Sequence, residues 1–282
     1  KNKIYVSYTN ELSEDCWSLN VLEAELNFDK IIFDHIFLTK ECINSKNNID
    51  NEFNAHQSGG RIFKYDKDNI LISTGDFRQR NLSQDPKSPH GKILKINLKN
   101  KKFKIISMGN RNIQGLYLDK FNKVIISTEH GPKGGDEINI LKITSLKENS
   151  IANYGWPISS YGEHYIKDKK PKEIVEKLYI KYPLHKSHAE HGFIEPIKYY
   201  VPSIGISEIT AIDETKKLYL HGSMKKGQLY LIKLDENFQV IDSRNLYLGE
   251  RIRDIVKFNN KIYLFLETTG SIGILNASDI DI

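Results

Sequence analysis

The stretch NAHQSGGRIFKYDKDNILISTGD, residues 54–76, carries His56 before one strand-like run and Asp76 after another. A turn centred near Lys67 and Asp68 folds the two runs into an antiparallel hairpin, and in a hairpin the start of the first strand lies beside the end of the second. Pairing from that turn predicts Asp76 opposite Gly59 or Gly60, with His56 on the loop leading in at the same end. A carboxylate beside an imidazole fixes its tautomer and raises its basicity, which is what a general base needs. Each residue alone also has a plainer role: Asp76 as a turn cap, His56 as a surface loop residue.

Other polar, Gly-rich segments sit at equivalent places. EHGPKGGDE (129–137) follows VIIST, SMKKG (223–227) follows LYLHG, ERIRD (250–254) opens the last hairpin, and GNRNIQG (109–115) opens the third. The set is cationic, with Arg111, Lys225, Arg251 and Arg253. Guanidinium forks grip planar carboxylates in bidentate fashion, and like charges gathered in a confined site predict an anionic ligand. Taken singly, each of these residues reads better as a solvated lysine or arginine. In HGPKGGDE, glycines and a proline turn backbone carbonyls outward; carbonyls with carboxylates are hard-cation ligands, although the spacing is not that of an EF-hand.

The elements that must position these groups are short strands. IYVSYT (4–9), ILISTGD (70–76), VIISTEH (124–130), LYLHGS (218–223) and IYLFLE (262–267) resemble one another. All but the first follow a turn cluster and a preceding apolar run, GRIFKY, QGLYL, EITAI or IRDIV. A strand–turn–strand unit recurring at irregular intervals predicts an all-β, six-bladed β-propeller with loop insertions, and a single domain over 1–282. A β-sandwich of similar strand content is the competing architecture. PKEIVEKLY (171–179) predicts one or two helical turns inside an insertion.

With 27% charged and 39% apolar residues, the 282-residue chain is globular in composition and has no apolar run of membrane-spanning length. The net charge of +5 comes from lysines scattered through Asn-rich turns, a solvated face rather than a basic stripe with interleaved aromatics; no nucleic-acid partner is expected. Cys16 and Cys42 lack CxxC spacing, so zinc is not expected, and whether they pair is open. No signal peptide opens the chain, which begins inside a strand-like run.

The segments HQSGGRIFKYDKDNILISTGD, GKILKINL, GNRNIQGL, STEHGPKGGDEINI, NYGWP, SMKKGQLY and RIRDI together resemble the soluble quinoprotein glucose dehydrogenases and aldose sugar dehydrogenases, the glucose/sorbosone dehydrogenase family. The likeness runs in family order from about residue 56 to 256. It implies a six-bladed propeller that holds pyrroloquinoline quinone (PQQ), a planar tricarboxylate, with calcium. It implies His56 as general base toward the anomeric hydroxyl of an aldose, Asp76 orienting it, and Arg111 and Asn112 at the quinone oxygens. Lys225, Arg251 and Arg253 would bind the cofactor carboxylates, and Ser203 would add a hydroxyl. The carbonyls of Gly131 and Pro132 would hold the catalytic calcium, and Glu137 and Tyr154 a second, structural one. An external electron acceptor and a periplasmic or secreted location are also implied.

Two departures stand out. The family's HRN is NRN here, with Asn110 first, and the family's N-terminal blade with its cofactor-binding glutamine has no counterpart. Five blades are therefore expected in this sequence, with the sixth missing or supplied by an upstream segment; a ring left open would expose sheet edges. Two rival functions remain at this level: a calcium-dependent, lactonase-like propeller hydrolase, and a non-catalytic binding propeller. The four cations argue against the first, and a base, an acid and the cations on one face argue against the second.

Overall fold

A computed structural model describes residues 2–39, 41–148, 151–165 and 171–280. The chain divides into two compact units, one of residues 1–113 and 148–157, the other of 114–147 and 158–282.

The first unit begins with a long hairpin, β1 (Lys3–Ser13) and β2 (Cys16–Glu25), extended by β3 (Asp34–Phe37) and the short β4 (Ile43–Asn44), both pairing with β2. IYVSYT therefore pairs forward, with β2. Cys16 and Cys42 form a disulfide, which settles the pairing and pins the approach to β4 against the start of β2. The second sheet is a meander of β5 (Gly59–Lys64), β6 (Asn69–Thr74), β7 (Lys92–Asn97) and β8 (Phe103–Met108). In β6 every residue from Ile70 to Thr74 is buried, as a run led by Ile70, Leu71 and Ile72 in a central strand should be. Leu19, Val21 and Ile36 from the first sheet and Ile70, Ile72, Leu94 and Ile96 from the second share one core.

The second unit opens with β9 (Ile113–Asp119), β10 (Val124–Glu129) and β11 (Asp136–Lys142). The chain then lays β12 (Ala152–Asn153) parallel to β8 in the first unit's sheet and returns with β13 (Lys198–Tyr200), which pairs with β11. Residues 149–150 of the expected insertion at 142–152 lie outside the described residues. Two further sheets follow: β14 (Ile206–Asp213), β15 (Leu218–Ser223), β16 (Gln228–Leu234) and β17 (Val240–Tyr247), then β18 (Ile252–Phe258), β19 (Lys261–Leu266) and β20 (Ser271–Asn276). In the last sheet Ile255, Ile262 and Leu264 pack into a core with Ile212, Leu218 and Leu231. Its other face leaves Val256, Phe258, Phe265, Ile272 and Ile274 exposed.

The five sequence repeats fall in five different sheets, as β1, β6, β10, β15 and β19. Antiparallel sheets of this size, one per repeat, are the blades of an all-β propeller. The predicted helix runs over Lys172–Lys181, longer than one or two turns, and buries none of its residues, as an insertion on the surface should. No helix is long and apolar enough to cross a membrane among the described residues.

Candidate functional site

Asp76 lies just past the end of β6. The pairing of β5 with β6 shifts between Gly59, opposite Thr74, and Ile62, opposite Ile72, so a bulge changes the register the turn alone predicts. Beyond it, Gly75 N–H donates to Ser58 O at 2.8 Å and Phe77 N–H to Gln57 O at 3.0 Å. Asp76 is thus level with Gln57 rather than with Gly59 or Gly60. Phe77 and Arg78 then take left-handed φ values of +50° and +69°, uncommon for residues with side chains and a local cost met by the packing around them. That turn brings Arg78 N–H to Asp76 Oδ1 at 2.9 Å.

The carboxylate of Asp76 is fully buried, and its Oδ2 accepts Trp156 Nε1–H at 2.8 Å. The expected Asp76–His56 pair is not formed: the imidazole of His56 is exposed, and its backbone N–H caps on Asn54 Oδ1 at 2.9 Å. Both residues do lie at one end of the hairpin, with their side chains in different surroundings. Burial pushes the Asp76 carboxyl up; the Arg111 guanidinium, the Arg78 N–H, the Trp156 indole and Arg80 pull it back.

Arg111 is buried, with its guanidinium 5.3 Å from the Trp156 ring centroid, and its carbonyl accepts Asp76 N–H at 3.0 Å. Asn112 Oδ1 accepts Gly59 N–H at 3.1 Å, so its carbonyl braces the hairpin end. Asn110 Oδ1 accepts the Ser107 hydroxyl at 2.8 Å, a structural use of the position where the family's histidine stands. Arg80 pairs with Asp50 at 3.2 Å and Glu52 at 2.7 Å and fastens the loop after Asp76. Gln57 Oε1 is buried with no hydrogen-bond partner among the described residues, an acceptor that a bound hydroxyl would satisfy.

In the second unit the 129–137 loop is built on Asp136, which reading the sequence passed over in favour of Glu137. Asp136 Oδ2 accepts the N–H groups of Ile204, Gly205 and Ile206 at 3.0, 2.7 and 3.1 Å, and Oδ1 accepts Gly131 N–H at 3.2 Å. Gly131 is required by close approach: a Cβ there would lie 2.0 Å from Gly135 O. Ser203 Oγ reaches Pro132 O at 3.5 Å, too long to occupy that carbonyl firmly. Glu137 faces His188 Nε2 at 3.4 Å. Tyr154, buried in the first unit, donates its backbone N–H to Met108 O at 3.0 Å.

The cations Lys225, Arg251 and Arg253 cluster in this unit. Lys225 N–H donates to Ile204 O at 3.0 Å beside Ser203, and Arg251 Nη1 contacts Met224 O at 3.5 Å. All three side chains are exposed. Glu267 accepts from both arginines, at 3.2 Å from Arg251 Nε and 2.8 Å from Arg253 Nε, so the protein provides part of their countercharge itself. Slight burial pushes Glu267 up, and hydrogen bonds from Arg253 and Arg251 outweigh it, leaving the carboxyl below its usual range. Lys225 makes no ion pair among the described residues.

These donors fit an anionic, planar ligand: an exposed ammonium and two half-exposed guanidiniums. For calcium, the Pro132 carbonyl is engaged only by the long Ser203 contact, while Asp136 is spent on backbone N–H groups and Glu137 faces His188. Among the described residues no cluster of three or more His, Cys, Asp or Glu side chains has metal-binding geometry.

Comparison with known proteins gives consistent findings. The sequence model of the family described as Glucose / Sorbosone dehydrogenase matches residues 1–275. The chain is 27% identical over 235 residues to the aldose sugar dehydrogenase YliI of Escherichia coli K12, covering 76% of this chain and 58% of that protein. It is 27% identical over 225 residues to an uncharacterised protein of Synechocystis, covering 70% of this chain and 50% of the other. The chain thus spans about half to three fifths of the length of these relatives. Among solved structures, the soluble aldose sugar dehydrogenase of Escherichia coli in its apo form aligns with TM-score 0.72 at 23% identity, over 94% of this chain and 75% of that one. The PQQ-bound form of aldose sugar dehydrogenase from Streptomyces coelicolor aligns with TM-score 0.68 at 20% identity, over 96% and 74%. At these identities the structures speak to the fold, an all-β propeller, of which this chain has five blades.

Proposed function

The chain belongs to the glucose/sorbosone dehydrogenase family, and from that premise we propose that it oxidises aldose sugars at the anomeric carbon with PQQ as cofactor. The observation that carries this reading is the exposed cation cluster Lys225, Arg251 and Arg253. A tricarboxylate suits it, and a metal-bound water would have no use for it.

When bound, PQQ supplies the two-electron sink for oxidation at the sugar's anomeric carbon. Lys225, Arg251 and Arg253 would hold its carboxylates, with Ser203 adding a hydroxyl and Arg111 and Asn112 at the quinone oxygens. Calcium would take the carbonyls of Gly131 and Pro132. Glu137 and Tyr154 as ligands of a second ion are the weaker part of the reading, because His188 already faces Glu137. His56, exposed and therefore accessible to a sugar, would take the proton from the anomeric hydroxyl. Asp76 acts at one remove: its carboxylate, held by Trp156 and Arg78, fixes the loop end next to His56 rather than the imidazole itself. A sixth blade, an external electron acceptor and a periplasmic or secreted setting belong to the same reading and rest on the family likeness.

The test is reconstitution. PQQ and calcium are added to the purified protein, binding is followed by calorimetry and turnover by dye reduction with a panel of aldoses. Sugar-dependent reduction requiring both additions is the expected result. Absence of both binding and reduction sinks the proposal.

A further inference from the structure

Lys92 is the first residue of β7, and its side chain is fully buried. Its Nζ donates to three backbone carbonyls: Leu82 O at 2.7 Å, Ser83 O at 2.9 Å and His90 O at 2.7 Å. An ammonium has three N–H bonds, and all three are used. Leu82 and Ser83 lie in the short 3₁₀ helix Arg80–Gln84, and His90 closes the loop that follows.

That loop touches the strand ends carrying the site residues of the first unit. Ser83 O also accepts Gly109 N–H at 2.8 Å; Gly91 N–H donates to Gly75 O at 3.1 Å; Asn110 N–H donates to Gly91 O at 3.2 Å. Gln84 Nε2, one residue past the cage, donates to Trp156 O at 2.7 Å. Gly91 permits this closeness, since a Cβ there would lie 2.2 Å from Ser83 Oγ.

We propose that Lys92 is a positioning residue for Asp76, Arg111 and Trp156, its ammonium standing where a structural cation would and holding the 80–90 loop against the strand ends that carry them. The proposal rests on the reading of Asp76 and Arg111 as site residues. A neutral amine has only two N–H bonds, so loss of the proton strands one carbonyl and loosens the cage. Burial pushes the ammonium down to about 7, with Asp85, Glu41 and Asp76 pulling it up. The three carbonyls, better partners for an ammonium than for an amine, act in the same upward direction. The other titratable group in the cage, His90, is buried and pushed down to about 4. The cage therefore responds to alkaline pH, from about 7 toward the ordinary lysine value of about 10.4.

Global stability is the wrong measure of this role. Removing Lys92 relieves the desolvation of a buried charge while stranding three carbonyls, and the two effects oppose each other. The indole N–H of Trp156 is the direct reporter, because it donates to Asp76. The chain has two tryptophans, so a nitrogen-15 NMR spectrum shows two indole signals, and Trp17→Phe assigns them. In the protein without cofactor or sugar, the Trp156 signal should move as pH rises from 7 to about 10. In Lys92→Met the pH response should be lost and the signal should sit away from its neutral-pH wild-type position. A Trp156 signal that ignores pH in the wild-type protein, or that titrates identically in Lys92→Met, overturns the proposal. Should Lys92→Met fail to fold, the wild-type titration still decides, with Lys92→Arg as the variant that keeps the charge. None of these readings depends on turnover, so a failed reconstitution assay leaves them intact.

Discussion

At the scale of single residues, each proposed role predicts a distinct loss. His56→Ala should abolish turnover while leaving PQQ affinity unchanged, measured by dye reduction beside calorimetry; retained turnover removes His56 from the mechanism. Arg251→Ala with Arg253→Ala should weaken cofactor affinity at least tenfold, about 1.4 kcal/mol or more, and reduce its salt dependence. Asp136→Ala strands four backbone N–H groups and should cost about 3 kcal/mol or more in urea unfolding, with or without cofactor. Lys225, Arg251, Arg253 and His56 stand out in the sequence by residue type and by their place near strand ends, and all four side chains are exposed; the roles given to them belong to the proposal. The sequence hid Lys92, Asp136 and Trp156, whose importance lies in which backbone groups they meet after folding. Lys92 in HGKILK reads like any of the chain's solvated lysines until three carbonyls close on it.

At the scale of elements, the repeated strand was legible down to its distribution, one copy in each of five sheets, because a run such as ILIST is fit only for a central, doubly covered strand. The register at the site was not. The turn at Lys67–Asp68 predicts a regular hairpin, and the bulge between Gly59 and Ile62 displaces Asp76 along it. Left-handed Phe77 and Arg78 then fold the chain back so that Arg78 N–H meets one oxygen of its carboxylate, while Trp156 holds the other. Neither residue type advertises that conformation, so the Asp76–His56 pair was a fair reading of the sequence that the backbone undoes. The Cys16–Cys42 disulfide is likewise a tertiary fact. It closes a loop of sequence separation 26, so Cys16→Ser with Cys42→Ser should lower unfolding free energy by about 3 kcal/mol, seen as a reduced urea midpoint.

At the scale of the molecule, acid sensitivity follows from two histidines folded in neutral form. Burial pushes His90 down to about 4 and His221 to about 3, against about 6.5 unfolded. Between those values the unfolded chain binds more protons, so the stability these histidines contribute is full above about pH 6.5 and falls as pH drops toward 4, by about 3 kcal/mol for His90 alone. Asp76 acts in the opposite sense: its carboxyl is raised, so its contribution is greatest at low pH and declines as pH rises through and above 3.8. Urea midpoints measured from pH 7 to pH 4 should therefore fall, and His221→Gln should flatten the curve. The bare face of the last sheet has a consequence for anyone handling the protein. Val256, Phe258, Phe265, Ile272 and Ile274 form a contiguous oily patch that water does not tolerate well at high protein concentration. The chain should be retained on a phenyl column at modest ammonium sulfate, bind the dye ANS while fully folded, and scatter light on concentration, and charged replacements at Ile272 and Ile274 should relieve all three.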